Sequence, residues 1–230
     1  MLGIEIKNIG ILGGLSPEST IVYYKELVKL FYSHFGDFTS PEIIIHSFNF
    51  QDTINQKYSI SDRVTKAIES LHYAGADFVI AACNSIHKVY DDVVQRIPIP
   101  WISIIDTVAI EMKHKKLHKV GVLGTSFVMK EKFYRSHLRR WEIEAIFPSI
   151  KEQIIINQII YDELCRGVVK DSSKQMILKC INSLVTNFGI EGIVLGCTEL
   201  PIIINQNMLD IPVFNTTQLH IEKAFEFSLG

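Results

Sequence analysis

The chain has 230 residues, 47% of them hydrophobic, and a formal charge of −2, from 23 Lys and Arg against 25 Asp and Glu. The apolar share is ample for folded cores, and the near-balance of charge argues against a nucleic-acid or acidic-membrane partner. No apolar run approaches the ~18 residues of a membrane span, and Met1–Ile6 does not read as a secretory leader, so a soluble cytoplasmic protein is expected.

Ile9 to Leu12 is an apolar run that ends in Gly13-Gly14, and Ser16-Pro17-Glu18-Ser19 opens a helix carrying Val22, Leu27, Val28 and Phe31. Proline suits a first helical turn and serine a cap, so the pattern predicts strand, tight turn and helix. Ile43-Ile44-Ile45 reads as a short buried strand. Asp62 to Tyr73 repeats apolar residues at helical spacing and stops before Gly75. Phe78 to Ala82 and Ile102 to Ile105 read as strands. In the second half Val120 to Leu123 is a strand, and Met129 to Trp141, Ile155 to Leu164 and Met176 to Phe188 are helices. Gly192 to Leu195 and Val213-Phe214 are strands, and a last helix starts at Thr217. Strands apolar on both faces and alternating with helices predict an α/β fold of parallel sheets flanked by helices.

The second half repeats the first. Ile9-Gly10-Ile11-Leu12-Gly13 returns as Val120-Gly121-Val122-Leu123-Gly124, a shift of 111 (120 − 9). The segment running from Gly75 to Cys83-Asn84-Ser85 returns as Gly189 to Cys197-Thr198-Glu199, a shift of 114 (197 − 83). Ile99-Pro100-Trp101 returns as Ile211-Pro212-Val213, shifted by 112 (212 − 100). Three landmarks in one order predict two pseudosymmetric lobes, one from residues 1–104 plus 214–230 and one from 105–213.

None of the four cysteines, Cys83, Cys165, Cys180 and Cys197, belongs to a C-x-x-C pair, so no zinc cluster or redox dithiol is expected. Cys165 and Cys180 read as small buried residues in helical segments. Cys83 and Cys197 stand past the ends of matching strands, where open parallel sheets bind their ligands, each followed by polar side chains. Backbone N–H groups and a following helix would lower the pKa of such a thiol, and Asn84, Ser85 and Thr198 could hold a carboxylate. Glu199 could tune Cys197, while His87 reads as a residue behind the site or as a base. The Gly10–Gly14 loop lacks dinucleotide spacing and a P-loop lysine; it reads as a tight turn that lets Gly14 and Ser16 approach a small ligand.

Three segments, Gly10-Ile-Leu-Gly-Gly-Leu-Ser-Pro-Glu-Ser-Thr20, Cys83-Asn-Ser-Ile-His-Lys-Val89 and Gly196-Cys-Thr-Glu-Leu200, resemble the signatures of the aspartate/glutamate racemase family. The resemblance spans essentially the whole chain, including Ile156 to Leu164 and Pro212 to Thr216. It implies a racemase that needs neither pyridoxal phosphate nor metal, commonly a homodimer, with its amino-acid substrate in a cleft between the lobes. One cysteine would take the α-proton and the other would return a proton to the opposite face. Members strict for aspartate carry an arginine in the loop after the second strand and a lysine in the later helix. Here the loop has no arginine until Arg63, and the second position is Cys165 or Arg166. Broad-specificity racemases are similar in these segments, with a glutamine near Gln56 and a stretch like Glu163-Leu164-Cys165. The expected catalytic pair is therefore Cys83 and Cys197, with Gly14, Ser16, Gln56, Asn84, Ser85, Thr198 and Glu199 as substrate contacts and no cofactor or metal. The alternatives are a decarboxylase or cis–trans isomerase of small dicarboxylates on the same scaffold, or a non-catalytic binder of small ligands.

Overall fold

The computed structural model describes residues 5–54, 59–130 and 132–230. In chain order the elements are β1 (Ile9–Gly13), α1 (Pro17–Phe35), β2 (Ile43–Ser47), α2 (Phe50–Ile54), α3 (Ile60–Tyr73), β3 (Phe78–Ala81), α4 (Tyr90–Val93) and α5 (Ile104–His114). They continue as β4 (Lys119–Leu123), α6 (Ser126–Lys130), α7 (Lys132–Arg140), β5 (Glu144–Ile146), α8 (Ile150–Gln158), α9 (Asp171–Phe188), β6 (Gly192–Leu195), β7 (Val213–Asn215) and α10 (Thr216–Ser228). The chain divides into two compact units, residues 1–104 with 217–230, and residues 105–216.

Unit 1 holds a parallel sheet of order β2-β1-β3. Side chains alternate across it as strand geometry requires. Ile9, Ile11, Phe78 and Ile80 pack with Tyr23, Leu27 and Phe31 of α1 and Ile221 and Ala224 of α10. Leu12, Val79 and Ala81 pack with Val64, Ala67, Ile68 and Leu71 of α3. Each such fully buried large side chain contributes about 1.5–3 kcal/mol. Ser16 caps α1 by accepting the Ser19 N–H at 3.3 Å, Pro17 opens its first turn, and Gly36 closes it at φ 75°. β2 is an edge strand and Ile45 is exposed, so the triple isoleucine is not buried as its composition suggests.

Unit 2 repeats the scheme in a parallel sheet of order β5-β4-β6-β7. The equivalence extends to single bonds. Asn8 N–H donates to the Asp77 carboxylate at 2.7 Å, and Lys119 N–H to that of Glu191 at 3.0 Å. Val79 N–H reaches the Pro100 carbonyl at 2.8 Å, and Ile193 N–H that of Pro212 at 2.9 Å. A Cβ on Gly10 would come within 2.8 Å of Val79 Cγ1, and one on Gly121 within 2.7 Å of Ile193 Cδ1. Glycine at both positions permits the same close packing between strand neighbours.

Several expected elements differ. Ile102–Ile105 is not a strand; a lone parallel bridge joins Val79 to Trp101, and α5 begins at Ile104. Ile104, Ile105, Val108, Ala109 and Met112 are all fully buried, a helical spacing that the short apolar run conceals. The span Met129–Trp141 divides between α6 and α7. The helix expected over Ile155–Leu164 starts at Ile150 and passes after Gln158 into a π-helical turn, Ile159–Glu163, then a 3-10 turn, Leu164–Arg166. Cys180 is buried, but Cys165 is exposed, not part of the core.

Candidate active site

In each unit the cysteine comes two residues past its strand: Cys83 after Ala81 of β3, and Cys197 after Leu195 of β6. The neighbouring strand's loop lies alongside in both. Ala82 N–H donates to the Leu12 carbonyl at 3.0 Å, and Gly196 N–H to that of Leu123 at 2.7 Å.

In unit 1 this joins Cys83, Asn84 and Ser85 to the loop of Gly14 and Ser16. Asn84 is buried, and Cys83 and Ser85 are half-buried. Gly14 sits at φ 75°, where a Cβ would lie 2.3 Å from the Phe48 carbonyl oxygen, so only glycine fits. Its N–H donates to the Thr20 hydroxyl at 2.9 Å, and the Ser16 hydroxyl is engaged with Ser19. Both residues thus build the turn that shapes the sheet edge. Gln56 lies outside the described residues.

Behind Cys83 two histidines are locked. His87 is fully buried; its Nδ1–H donates to the Cys83 carbonyl at 3.0 Å, and its Nε2 accepts the Ile104 N–H at 3.1 Å. Both nitrogens are therefore engaged, which makes His87 a clamp on the cysteine turn and argues against the base role. His220 Nε2–H donates to the Ile102 carbonyl at 3.0 Å, so its Nδ1 accepts the Tyr23 hydroxyl at 2.9 Å. Burial lowers His220 to about 4, the Ile102 carbonyl opposing, so the ring is neutral. Burial raises Tyr23 well above its ordinary range, and nearby Cys83 adds to the rise.

In unit 2 the Cys197 thiol donates to Glu199 Oε2 at 2.9 Å, and the Thr198 hydroxyl reaches the same oxygen at 2.8 Å. Burial pushes the Cys197 thiol well above its ordinary pKa, and the Glu199 carboxylate raises it further. The helix-dipole expectation fails here because the turn that follows, Leu200–Ile202, is three residues long and too short to present a macrodipole. Cys197 is a thiol at neutral pH, held as a proton donor. The position equivalent to Glu199 in unit 1 is Ser85 (85 + 114 = 199), so the two cysteines have unlike surroundings.

Three features escaped the sequence reading. The Cys165 thiol, though its residue is exposed, is raised to about 11 by partial desolvation of the sulfur and by the nearby Glu199 carboxylate. Thr125, the equivalent of Gly14 (14 + 111 = 125), has a buried hydroxyl with no hydrogen-bond partner among the described residues. Tyr23 and Tyr134 are equivalent by the same shift of 111 (134 − 23), and both are fully buried. The repeat could have found the last two. Among the described residues no three His, Cys, Asp or Glu side chains converge to hold a metal ion.

The family model for Asp/Glu/hydantoin racemases matches residues 12–224. The chain belongs to this family. As a racemase of that type it is an isomerase. An aspartate racemase homologue from Pyrococcus horikoshii superposes with a TM-score of 0.89 at 36% identity, over 98% of this racemase and 100% of that chain. The broad-specificity amino-acid racemase RacX of Bacillus subtilis is 24% identical over 221 residues, 91% of this chain and 92% of its own. A glutamate racemase of Francisella tularensis, solved with D-glutamate, shares the racemase fold with a TM-score of 0.70 at 18% identity, over 97% and 81% of the two chains.

Proposed function

We propose that the enzyme interconverts the L and D forms of aspartate, glutamate or a wider set of amino acids, with Cys83 and Cys197 as its two proton-transferring groups. Inverting a stereocentre needs a base on one face of Cα and an acid on the other. The observation that carries the reading is the repeat itself, which sets one thiol at equivalent places in two units of matching register. Their unlike surroundings support unlike starting roles. Cys197, protonated against Glu199, is the resting acid, and Cys83 is the resting base. Cys83 takes the α-proton, and Cys197 gives its proton to the resulting carbanion from the opposite side. Asn84 and Ser85 donate to the α-carboxylate as charge builds there, and the Thr198 hydroxyl, which donates to Glu199, joins them only by turning from that carboxylate. The names of the relatives, an aspartate racemase homologue and a broad-specificity amino-acid racemase, support the substrate range.

The test follows the α-proton of L- and D-amino acids in D2O by NMR, for wild type, Cys83→Ser and Cys197→Ser. Deuterium should enter with loss of optical purity in wild type, and either substitution should abolish racemisation. No exchange with any amino acid, in folded protein, overturns the reading.

A further inference from the structure

Arg63 lies in the opening turn of α3, its backbone N–H donating to the carbonyl of the capping Ser59 at 3.1 Å. Its half-buried guanidinium covers the ring of Phe48, 5.2 Å from the centroid. Phe48 directly follows β2 and is locked to the end of β1. Its N–H donates to the Gly13 carbonyl at 3.0 Å, and its backbone is what forbids a Cβ on Gly14. His46 meets the same ring edge-on, with the ring centroids 4.9 Å apart. Across the strand ends the order is Phe48, Leu12-Gly13, Ala82, with Cys83 next, a span of two strand spacings or about 10 Å.

Among the described residues no carboxylate pairs with Arg63. The neighbouring Asp62 is taken by Arg96 at 2.9 Å. Burial, and then Arg63 itself, hold His46 below its ordinary value, so at neutral pH that ring adds no second charge. The repeat sharpens the contrast. The shift of 111 that relates Gly14 to Thr125 carries Arg63 to Lys174 (63 + 111 = 174), and Lys174 is closed by Asp171 at 2.8 Å. A cation stacked on an aromatic ring, without a counter-charge, at the ligand end of a parallel sheet is a seat for an anion.

We propose that Arg63, seated on Phe48, is a specificity-determining residue of the racemase and pairs with a carboxylate at the end of the substrate's side chain. The inference rests on the racemase reading above and narrows its amino-acid set to those with acidic side chains. The reach fits. A thiol about 3–3.5 Å from Cα and an N–H···O bond of about 2.7–2.9 Å leave a few ångströms between them, which the short side chain of aspartate or glutamate fills. Phe48 already holds the planar guanidinium, so little side-chain freedom is lost on pairing. An amide in place of the carboxylate leaves Arg63 without its counter-charge, so asparagine and glutamine are disfavoured.

The full chain is compared with Arg63→Met and Arg63→Lys. In D2O, kcat/KM for deuterium entry at Cα is measured with aspartate, glutamate, asparagine and glutamine. Arg63→Met keeps a long side chain on Phe48 and removes the charge; it should lower the acid-to-amide ratio of kcat/KM about 10–10²-fold, and Arg63→Lys should recover part of the loss. A merely structural role would lower all four substrates alike and leave the ratio in place, which overturns the assignment. A second readout needs no turnover: calorimetric binding of succinate against succinamate. A preference for succinate that disappears in Arg63→Met upholds the seat even where no amino acid exchanges, and then the racemase reading alone falls. Equal binding of the two compounds to wild type, or an unchanged preference in Arg63→Met, overturns the inference whatever the exchange experiment shows.

Discussion

Replacing Glu199 with Gln removes a charge and keeps an acceptor beside the Cys197 thiol, which makes it a clean test of what raises that thiol. The Sγ–Oε2 distance is 2.9 Å. Two unit charges about 4 Å apart interact by about 4 kcal/mol at an effective dielectric of about 20, or about 3 pKa units. The retained amide oxygen still accepts from the thiol, so the expected fall is about 1–3 units. Burial, the largest cause of the rise, is unchanged, so Cys197 should remain no more acidic than an ordinary thiol. The assay is a pH titration of 13Cβ-labelled cysteines by NMR, with the Cys197 signal assigned from Cys197→Ser. A Cys197 midpoint that stays put or moves upward in Glu199→Gln would refute the electrostatic account of the resting acid.

Cys83→Ser and Cys197→Ser should each lower racemisation by about 10²–10⁴-fold with unchanged circular dichroism; near-wild-type polarimetric rates in either would remove that cysteine from the mechanism. In the direction that uses Cys197 as base, kcat/KM should keep climbing past pH 9, since burial and Glu199 hold that thiol protonated; a flat profile across pH 6–9 sinks the assignment. His220 is neutral when folded, and the unfolded chain binds its proton below pH 6.5, so its contribution is full above that pH and lost as pH falls toward 4. The loss is (6.5 − 4) × 1.36, about 3 kcal/mol, and urea midpoints at pH 7 and 4.5 should converge in His220→Gln more than in wild type. Gly14→Ala should cost about 3 kcal/mol or more because backbone blocks the new Cβ, whereas Gly36→Ala, at the same φ of 75° in open space, should cost about 1–2 kcal/mol in thermal unfolding.

The two-unit plan was legible because buried parallel strands and their end loops repeat visibly: Gly10 and Gly121 face the same crowding, and both cysteines end matching strands. The elements that failed are those whose pattern is short or ambiguous. Ile102–Ile105 reads equally as strand or buried helix, and β5, three residues from Glu144 to Ile146, is too brief to show a period. Cys165 was misplaced because the apolar spacing before it runs through a π-helical turn, where the face presented by each later residue shifts. The pairing of Glu199 with Cys197 could be guessed from their separation. The direction of its effect could not, because burial and a carboxylate outweigh backbone dipoles only once the depth of the thiol is known.

The assignment of α5 to unit 2 and of α10 to unit 1 means that each half of the repeat gives its last helix away. For a chain made from the N-terminus, the two units therefore mature in an order opposite to their position. Unit 2 is a continuous stretch, residues 105–216, and its core is complete as soon as that stretch is made. Unit 1 is emitted first yet lacks Ile221 and Ala224, and Tyr23 waits for His220, 197 positions later. At about 5–20 residues per second that interval is roughly 10–40 s, during which α1 has the sheet against it but lacks the part of its cover that α10 supplies. Such a nascent chain is a natural client for chaperones, and losses from its C-terminal end should strike the unit that was synthesised first.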